Sequence, residues 1–140
     1  MIDTCIFNHL TDGYYTINDL PPGEYYITHI QRDELETTPD PVRRHALKGQ
    51  LNIVQSDIVV TSVTLSGLAR SGEASCGDDR FYKTILSELD KRKKKRNNYK
   101  DAVIGATAIQ NSFRLITGDS DFAEIMKSVW GKKKIIYWKK

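Results

Sequence analysis

The stretch Lys100–Phe122, KDAVIGATAIQNSFRLITGDSDF, decides the fold that we expect for this chain. Its first half, Ala102–Ile109, is small and apolar on every side, which predicts a helix buried over most of its surface. Phe113–Thr117 is a short apolar run with a β-branched end and predicts a buried strand. Asp101 opens the helix, and Asp119 follows the strand in a turn that contains a glycine. Parallel α/β proteins place their sites at such junctions.

Strand and helix signals alternate along the rest of the chain. Runs of aromatic and β-branched residues predict strands at Glu24–Thr28, Ile58–Val63 and Ile135–Trp138. Capping residues predict helices that begin after Thr28, after Asp40 and after Asp78 or Asp79. The last of these has an apolar stripe of Phe81, Ile85, Leu86 and Leu89. Apolar periodicity predicts two more helices, over Ile6–Leu10 and Phe122–Val129. A short helical turn is expected at Leu65–Ala69, before a loop at Gly72–Gly77. This alternation predicts an α/β fold with a parallel sheet that is covered by helices on both faces.

Composition favours one soluble domain over residues 1–140. A hydrophobic share of 39% with 28% charged residues is ordinary for a globular protein, and 140 residues suffice for a core. No apolar run approaches the ~18 residues of a membrane span, and no signal peptide is expected. Cys5 and Cys76 could form one bridge at most and lack metal-site spacing. We therefore expect a reduced, cytoplasmic protein without a membrane contact.

Positive charge is concentrated in two patches. The run Lys91, Arg92, Lys93, Lys94, Lys95, Arg96 and the five lysines of the tail hold eleven of the 21 basic residues, so the rest of the chain has 10 basic against 18 acidic residues. Such patches suit a polyanion such as nucleic acid, with Lys91–Arg96 as the binding segment. A solvated helix C-terminus explains the same run equally well.

Acidic residues recur at the predicted junctions between strands and helices, namely at Asp3, Glu34, Asp101, Asp119 and Asp121. In a parallel sheet these ends meet in one cleft, where neighbouring carboxylates require protons or a cation. Carboxylates without a His or Cys partner favour Mg²⁺ or Mn²⁺. A hard metal and a polyanionic partner together indicate phosphodiester hydrolysis. Each acid taken alone also has an ordinary reading as a helix cap, a turn residue or an exposed side chain.

The order of these residues resembles the PIN domain family, which includes the VapC toxins of bacterial toxin–antitoxin pairs. The resemblance spans essentially the whole chain and rests on Asp3-Thr4, on Thr28 with Glu34-Leu35, on Asp101-Ala102-Val103-Ile104, and on Leu115–Phe122. Asp101–Phe122 is its most specific part, close to the family pattern D-A-x-I-A…L-x-T-x-D-x-D-F. Three features depart from the pattern: only Met1 and Ile2 precede the first acid, Cys5 stands where Asn is common, and the stretch Asp40–Lys100 is longer than in minimal toxins.

The resemblance implies a three-layer α/β/α sandwich with a central, mainly parallel sheet. It implies that Asp3, Glu34, Asp101 and Asp119 are catalytic metal ligands, with Asp121 as a supporting or second-metal ligand and Thr4 and Thr117 as hydroxyls beside the site. The implied activity is cleavage of single-stranded RNA with Mg²⁺ or Mn²⁺, often by a homodimer that an antitoxin inhibits.

Two other functions stay open at the level of sequence. One is a non-catalytic PIN-fold module that binds RNA or a protein, which the very short first strand would fit. The other is a different Mg²⁺-dependent α/β enzyme such as a phosphatase, although no D-x-D motif follows the first strand.

Overall fold

A computed structural model describes residues 1–61 and 79–139 of the chain. Within these residues the chain forms six α-helices and four short strands, in the order α1 (Thr4–Thr11), β1 (Tyr26–Ile27), α2 (His29–Glu36), α3 (Pro41–Val54), β2 (Asp57–Ile58), α4 (Arg80–Arg92), α5 (Asn98–Gln110), β3 (Leu115–Thr117), α6 (Ser120–Val129) and β4 (Ile135–Tyr137). Single 3-10 turns lie at Ile17–Asp19 and Lys132–Lys134. The protein is therefore mixed α/β and mostly helical.

The helix starts read from the sequence are confirmed at two places by their caps. Thr28 precedes α2, where its hydroxyl accepts a hydrogen bond from Ile30 N at 3.2 Å and its own N–H donates to Gln31 Oε1 at 2.8 Å. Asp40 precedes α3 and accepts from the N–H of Val42 at 2.8 Å. Both caps satisfy backbone donors that a helix start leaves without intrahelical partners.

The strands pair in parallel, as the alternation of elements predicts. β1 pairs with β2, with Tyr26 opposite Asp57, and β3 pairs with β4, with Leu115 opposite Ile135. β1 is shorter than expected, since it covers Tyr26–Ile27 where Glu24–Thr28 is predicted, and β2 covers Asp57–Ile58, at the start of the predicted strand Ile58–Val63. These are two-stranded sheets, so the described residues do not by themselves establish the expected three-layer sandwich around one central sheet.

The segment before α1 lies between the two strand pairs. Ile2 N donates to the carbonyl of Tyr26 at 2.9 Å and Asp3 N donates to the carbonyl of Ile116 at 2.9 Å. Ile2 also forms an isolated parallel bridge with Ile116 and is completely buried. The very short first strand expected from the sequence is thus a single bridge residue, which holds Asp3 beside the end of β3.

Two apolar clusters form the core. In the larger one, α5 packs against α4 and α6, and every residue from Ala102 to Ile109 is buried, as predicted. Gly105 allows this close approach, because a Cβ there would lie 2.8 Å from Met126 Sδ. On α4, Ile85 and Leu89 are fully buried, as the predicted apolar stripe requires. Phe81 is 38% exposed and does not belong to the buried face. The second cluster joins α1, α3, the end of α2, and the strands β1 and β3.

Some sequence predictions fall on parts of the chain outside the described residues. These are the end of the strand Ile58–Val63, the turn at Leu65–Ala69, the loop Gly72–Gly77, a cap at Asp78, and Cys76. In residues 1–61 and 79–139, each helix is too short or too polar to cross a membrane.

Candidate active site

Asp3 is a buried carboxylate at the end of the short N-terminal segment. It is 5% exposed, and its Oδ2 accepts hydrogen bonds from Thr117 Oγ1 at 2.6 Å and from Cys5 Sγ at 3.1 Å. Burial raises the pKa of Asp3, the bonds from Thr117 and Cys5 lower it, and the charge of Asp119 raises it, with a net increase. Thr117, predicted from the resemblance as a supporting hydroxyl, therefore contacts the predicted acid directly.

Cys5 is a site residue that the prediction missed. Its sulfur accepts from Gly118 N at 3.1 Å while its thiol donates to Asp3, so it links α1 to the turn after β3. Burial raises the pKa of this thiol first, and the negative charge of Asp3 raises it further. The thiol consequently stays protonated near neutral pH and acts as a donor, not as a nucleophile. Its position in the first turn after Asp3 was the one signal available in the sequence.

Glu34 reaches the same region from α2. Its Oε2 accepts from Thr4 Oγ1 at 2.7 Å, and its Oε1 forms an ion pair with Lys100 Nζ at 3.0 Å. The side chains of Glu34 and Lys100 are 25% and 27% exposed, which places the pair at the mouth of the site. Thr4 thus holds a different acid from the one that Thr117 holds. Lys100 was not predicted, and only its position next to Asp101 marks it in the sequence.

Asp119 has both carboxylate oxygens occupied. It is the N-cap of α6, where Oδ1 accepts from Phe122 N at 3.0 Å, and Oδ2 is ion-paired with Lys93 Nζ. Burial raises the pKa of Asp119, but the hydrogen bonds from Lys93 and from Phe122 N and the charges of Lys93 and Lys95 outweigh it, and the net change is downward. This carboxylate is therefore ionised over the whole range near neutral pH.

Asp101 lies in the first turn of α5 and carries the strongest sign of a shared site. Its pKa rises from 3.8 to about 7. Burial is the largest cause, the charge of Asp3 comes next, and the charges of Asp119 and Glu34 add to it, while Lys93 lowers it. Four predicted acids from four parts of the chain thus lie within electrostatic range of one another.

Asp121 lies at the rim of this group. Its side chain is 47% exposed, and Arg92 Nη1 lies 4.0 Å from its Oδ1. It stands in the first turn of α6, where its charge also favours the helix N-terminus. Its position fits a supporting role better than membership of the buried group.

The basic run lies next to the acids, with one member turned inward. α4 ends at Arg92, inside the run, and Lys93 follows as its C-cap with a side chain that is only 12% exposed. The other five, Lys91, Arg92, Lys94, Lys95 and Arg96, are exposed. Lys91 pairs with Glu88 on α4 at 2.7 Å. The run predicted as a nucleic-acid contact therefore borders the acidic group, and Lys93 belongs to that group instead of to the outer surface.

The donor chemistry and charge of the group fit a hard divalent cation. When all four acids are ionised, Lys93 and Lys100 neutralise two carboxylates and leave two negative charges, the charge of one Mg²⁺ or Mn²⁺ ion. In residues 1–61 and 79–139, as their side chains stand, no three His, Cys, Asp or Glu residues are close enough together to hold a metal. Binding of an ion would require these side chains to move closer.

A scan of protein-family models gives no match to the chain. A search of curated proteins gives no significant match either. The resemblance to the PIN family accordingly rests on the residues of the chain alone.

Proposed function

We propose that this chain is a PIN-like endoribonuclease that hydrolyses phosphodiester bonds of single-stranded RNA with Mg²⁺ or Mn²⁺. The observation that carries the proposal is the convergence of four acids from separate parts of the chain: burial first, and then the charges of Asp3, Asp119 and Glu34, raise the pKa of Asp101 to about 7. Acids that perturb one another in this way cluster at functional sites more often than elsewhere. Four neighbouring acids, of which Asp3 is buried and the other three are partly buried, destabilise a fold unless a cation or a proton neutralises them.

The backbone supports the finer fold assignment as part of this proposal. Hydrogen bonds of Ile2 and Asp3 connect β1 to β3, so the order β2, β1, N-terminal segment, β3, β4 can be read as one parallel sheet. Helices α1, α2 and α3 would cover one face, with α4, α5 and α6 on the other, as the two core clusters suggest. This would be the three-layer sandwich of a single PIN-like domain, with Asp3 on its central segment.

The residues of the chain have distinct tasks in this proposal. Asp3, Glu34, Asp101 and Asp119 would hold the ion, which supplies an activated water and charge stabilisation at the phosphate. Thr117 and Cys5 orient the carboxylate of Asp3 by donating to Oδ2. Thr4 orients Glu34 in the same way.

Two further groups of residues would act before and around the chemical step. Asp101 exchanges its proton near neutral pH, so cation binding is expected to release that proton. The exposed members of the basic run would contact the RNA backbone, since Arg92 lies 4.0 Å from Asp121 and the charge of Lys95 acts on Asp119.

The biological setting proposed here follows the same resemblance. A cytoplasmic location, a homodimer and an inhibiting antitoxin are the properties that VapC-like members of the family would bring. The location, the homodimer and the antitoxin are independent of the nuclease chemistry, and each requires its own measurement.

Cleavage of end-labelled single-stranded RNA in Mn²⁺ tests the activity. Asp101→Asn and Asp119→Asn should each lose cleavage by a factor on the order of 100 or more, because each removes a charge from the cation site. Glu124→Gln is the matched control, since Glu124 is an exposed acid on α6 whose carboxylate pairs with Lys127. Retained cleavage in either Asp variant would refute the site assignment.

One observation favours a second function, a non-catalytic PIN-fold module that binds RNA or a protein. Glu34 and Asp119 are already neutralised by Lys100 and Lys93, so the group can persist without a metal. Stoichiometric RNA binding without cleavage in Mg²⁺ or Mn²⁺, together with no heat of Mn²⁺ binding by calorimetry, would support this function over the nuclease.

A further inference from the structure

Lys93 differs from the other five cations of its run in where its side chain goes. The run leaves α4 after Arg92, and Lys93 adopts an extended backbone there. Its side chain is 12% exposed, whereas the remaining five residues of the run face solvent. A lysine buried to this degree requires an anionic partner, and it meets Asp119.

The backbone of Lys93 is held in place from both sides. Its N–H donates to the carbonyl of Leu89 at 2.8 Å, and its carbonyl accepts from Asn98 Nδ2 at 2.6 Å. Asn98 is itself buried, 1% exposed, in the first turn of α5, where it also donates to Asp90 at 2.8 Å. The junction between α4 and α5 therefore directs this one ammonium group into the acidic group.

Lys93 occupies the carboxylate oxygen of Asp119 that does not serve as the helix cap. Asp119 Oδ1 is committed to the N–H of Phe122 at the start of α6, so Oδ2 is the oxygen at which a cation would replace Lys93. The charge of Lys93 also acts on Asp101, so it reaches two of the four proposed ligands. Two cations at one carboxylate oxygen repel strongly where water is partly excluded.

We propose that Lys93 is a tethered counter-ion that occupies the metal-facing oxygen of Asp119 and must be displaced before a divalent cation binds. The proposal rests on the proposed function, because it concerns the same four acids. It assigns Lys93 the role of an internal competitor that sets the metal concentration at which the site fills. Once displaced, its ammonium group would be free to join the exposed cations at the mouth of the site.

Calorimetric titration of Mn²⁺ into the purified full chain tests the competition. Lys93→Gln and Lys93→Met both remove the charge, and each should tighten Mn²⁺ binding by roughly tenfold. Lys94→Gln is the matched control, because Lys94 is the next residue along the chain and its side chain is exposed. Removing its charge should change the Mn²⁺ affinity by less than about twofold. Lys93→Arg keeps a cation and should stay within a few-fold of the wild type.

Each result decides between the two proposals. Equal Mn²⁺ affinity in the wild type and in both neutral Lys93 variants, or weaker binding in those variants, would overturn the competition and leave the metal site intact. No binding in any protein, including the neutral variants, would overturn the metal site and the competition with it. Far-UV circular dichroism of every variant checks that the fold is retained. Because Lys93→Gln and Lys93→Met are both tested, the conclusion does not depend on one variant that folds poorly.

Discussion

Replacing Asp101 by asparagine should stabilise the folded protein at pH 8, because it removes a charge that the fold holds at a cost. The pKa of Asp101 rises from 3.8 to about 7 on folding. Each pKa unit corresponds to about 1.4 kcal/mol, so ionising this group in the folded state costs about 4 kcal/mol at most. Asparagine keeps the shape but still buries a polar amide, and we expect a net gain of about 2 kcal/mol in the free energy of unfolding.

The direction of the Asp101 pKa shift determines how the free energy of unfolding changes with pH. Between pH 4 and 7 the folded state binds more protons than the unfolded state, because its Asp101 has the higher pKa. The free energy of unfolding of the wild type therefore falls as pH rises through this window. The asparagine variant does not lose stability in this way. The free energies of unfolding of the two proteins should therefore be similar near pH 4, and their difference should grow up to about pH 7.

Urea unfolding at several pH values between about 3 and 8 measures the difference in free energy of unfolding between the two proteins. Asp119→Asn is the informative comparison, because the pKa of Asp119 is lowered on folding and its ionised form stabilises the protein. That variant keeps a good helix cap but loses the ion pair with Lys93, so it should be less stable by about 1 kcal/mol at pH 7, a difference that vanishes as pH falls below about 4. An Asp101→Asn protein that is less stable than the wild type at pH 8, or a gap that does not change with pH, would refute the reasoning.

Two glycine substitutions separate damage to the site from damage to the core. Gly118→Ala should cost about 2 kcal/mol and weaken Mn²⁺ binding, because the new Cβ would clash with the His9 ring and lie 3.1 Å from the carbonyl of Trp138, and the shift would move the N–H that holds Cys5. Gly105→Ala should cost about 1–2 kcal/mol, since its Cβ would meet the flexible side chain of Met126, and it should leave Mn²⁺ affinity unchanged. Thermal unfolding and calorimetry of both variants measure the two effects, and equal losses of Mn²⁺ affinity would contradict the assignment of Gly118 to the site.

Much of the local structure could be read from the sequence because short-range physics sets it. The caps at Thr28 and Asp40, the buried helix α5 and the parallel pairing of the strands all follow from residue types and spacing. Strand length was overestimated at β1, because the aromatic and β-branched pattern covers Glu24–Thr28 whereas the paired strand covers Tyr26–Ile27.

The same reasoning identified the acids but not their partners. The four acids stand at junctions between strands and helices, where the topology of a parallel sheet brings the ends of these elements together. Such positions can be recognised from the sequence alone, and they are Asp3, Glu34, Asp101 and Asp119. The roles of Thr4 and Thr117 followed only from the resemblance, and the structure shows that each hydroxyl serves a different acid.

The direction of individual side chains was decided by the tertiary structure alone. Six consecutive cations from Lys91 to Arg96 have no periodicity that distinguishes one from another. The turn between α4 and α5, held by Asn98, points Lys93 at Asp119 and leaves its neighbours in solvent. Sequence spacing thus determined that acids and cations would be near one another, whereas packing of α4 against α5 determined which cation entered the site, because a side chain follows the local direction of its backbone.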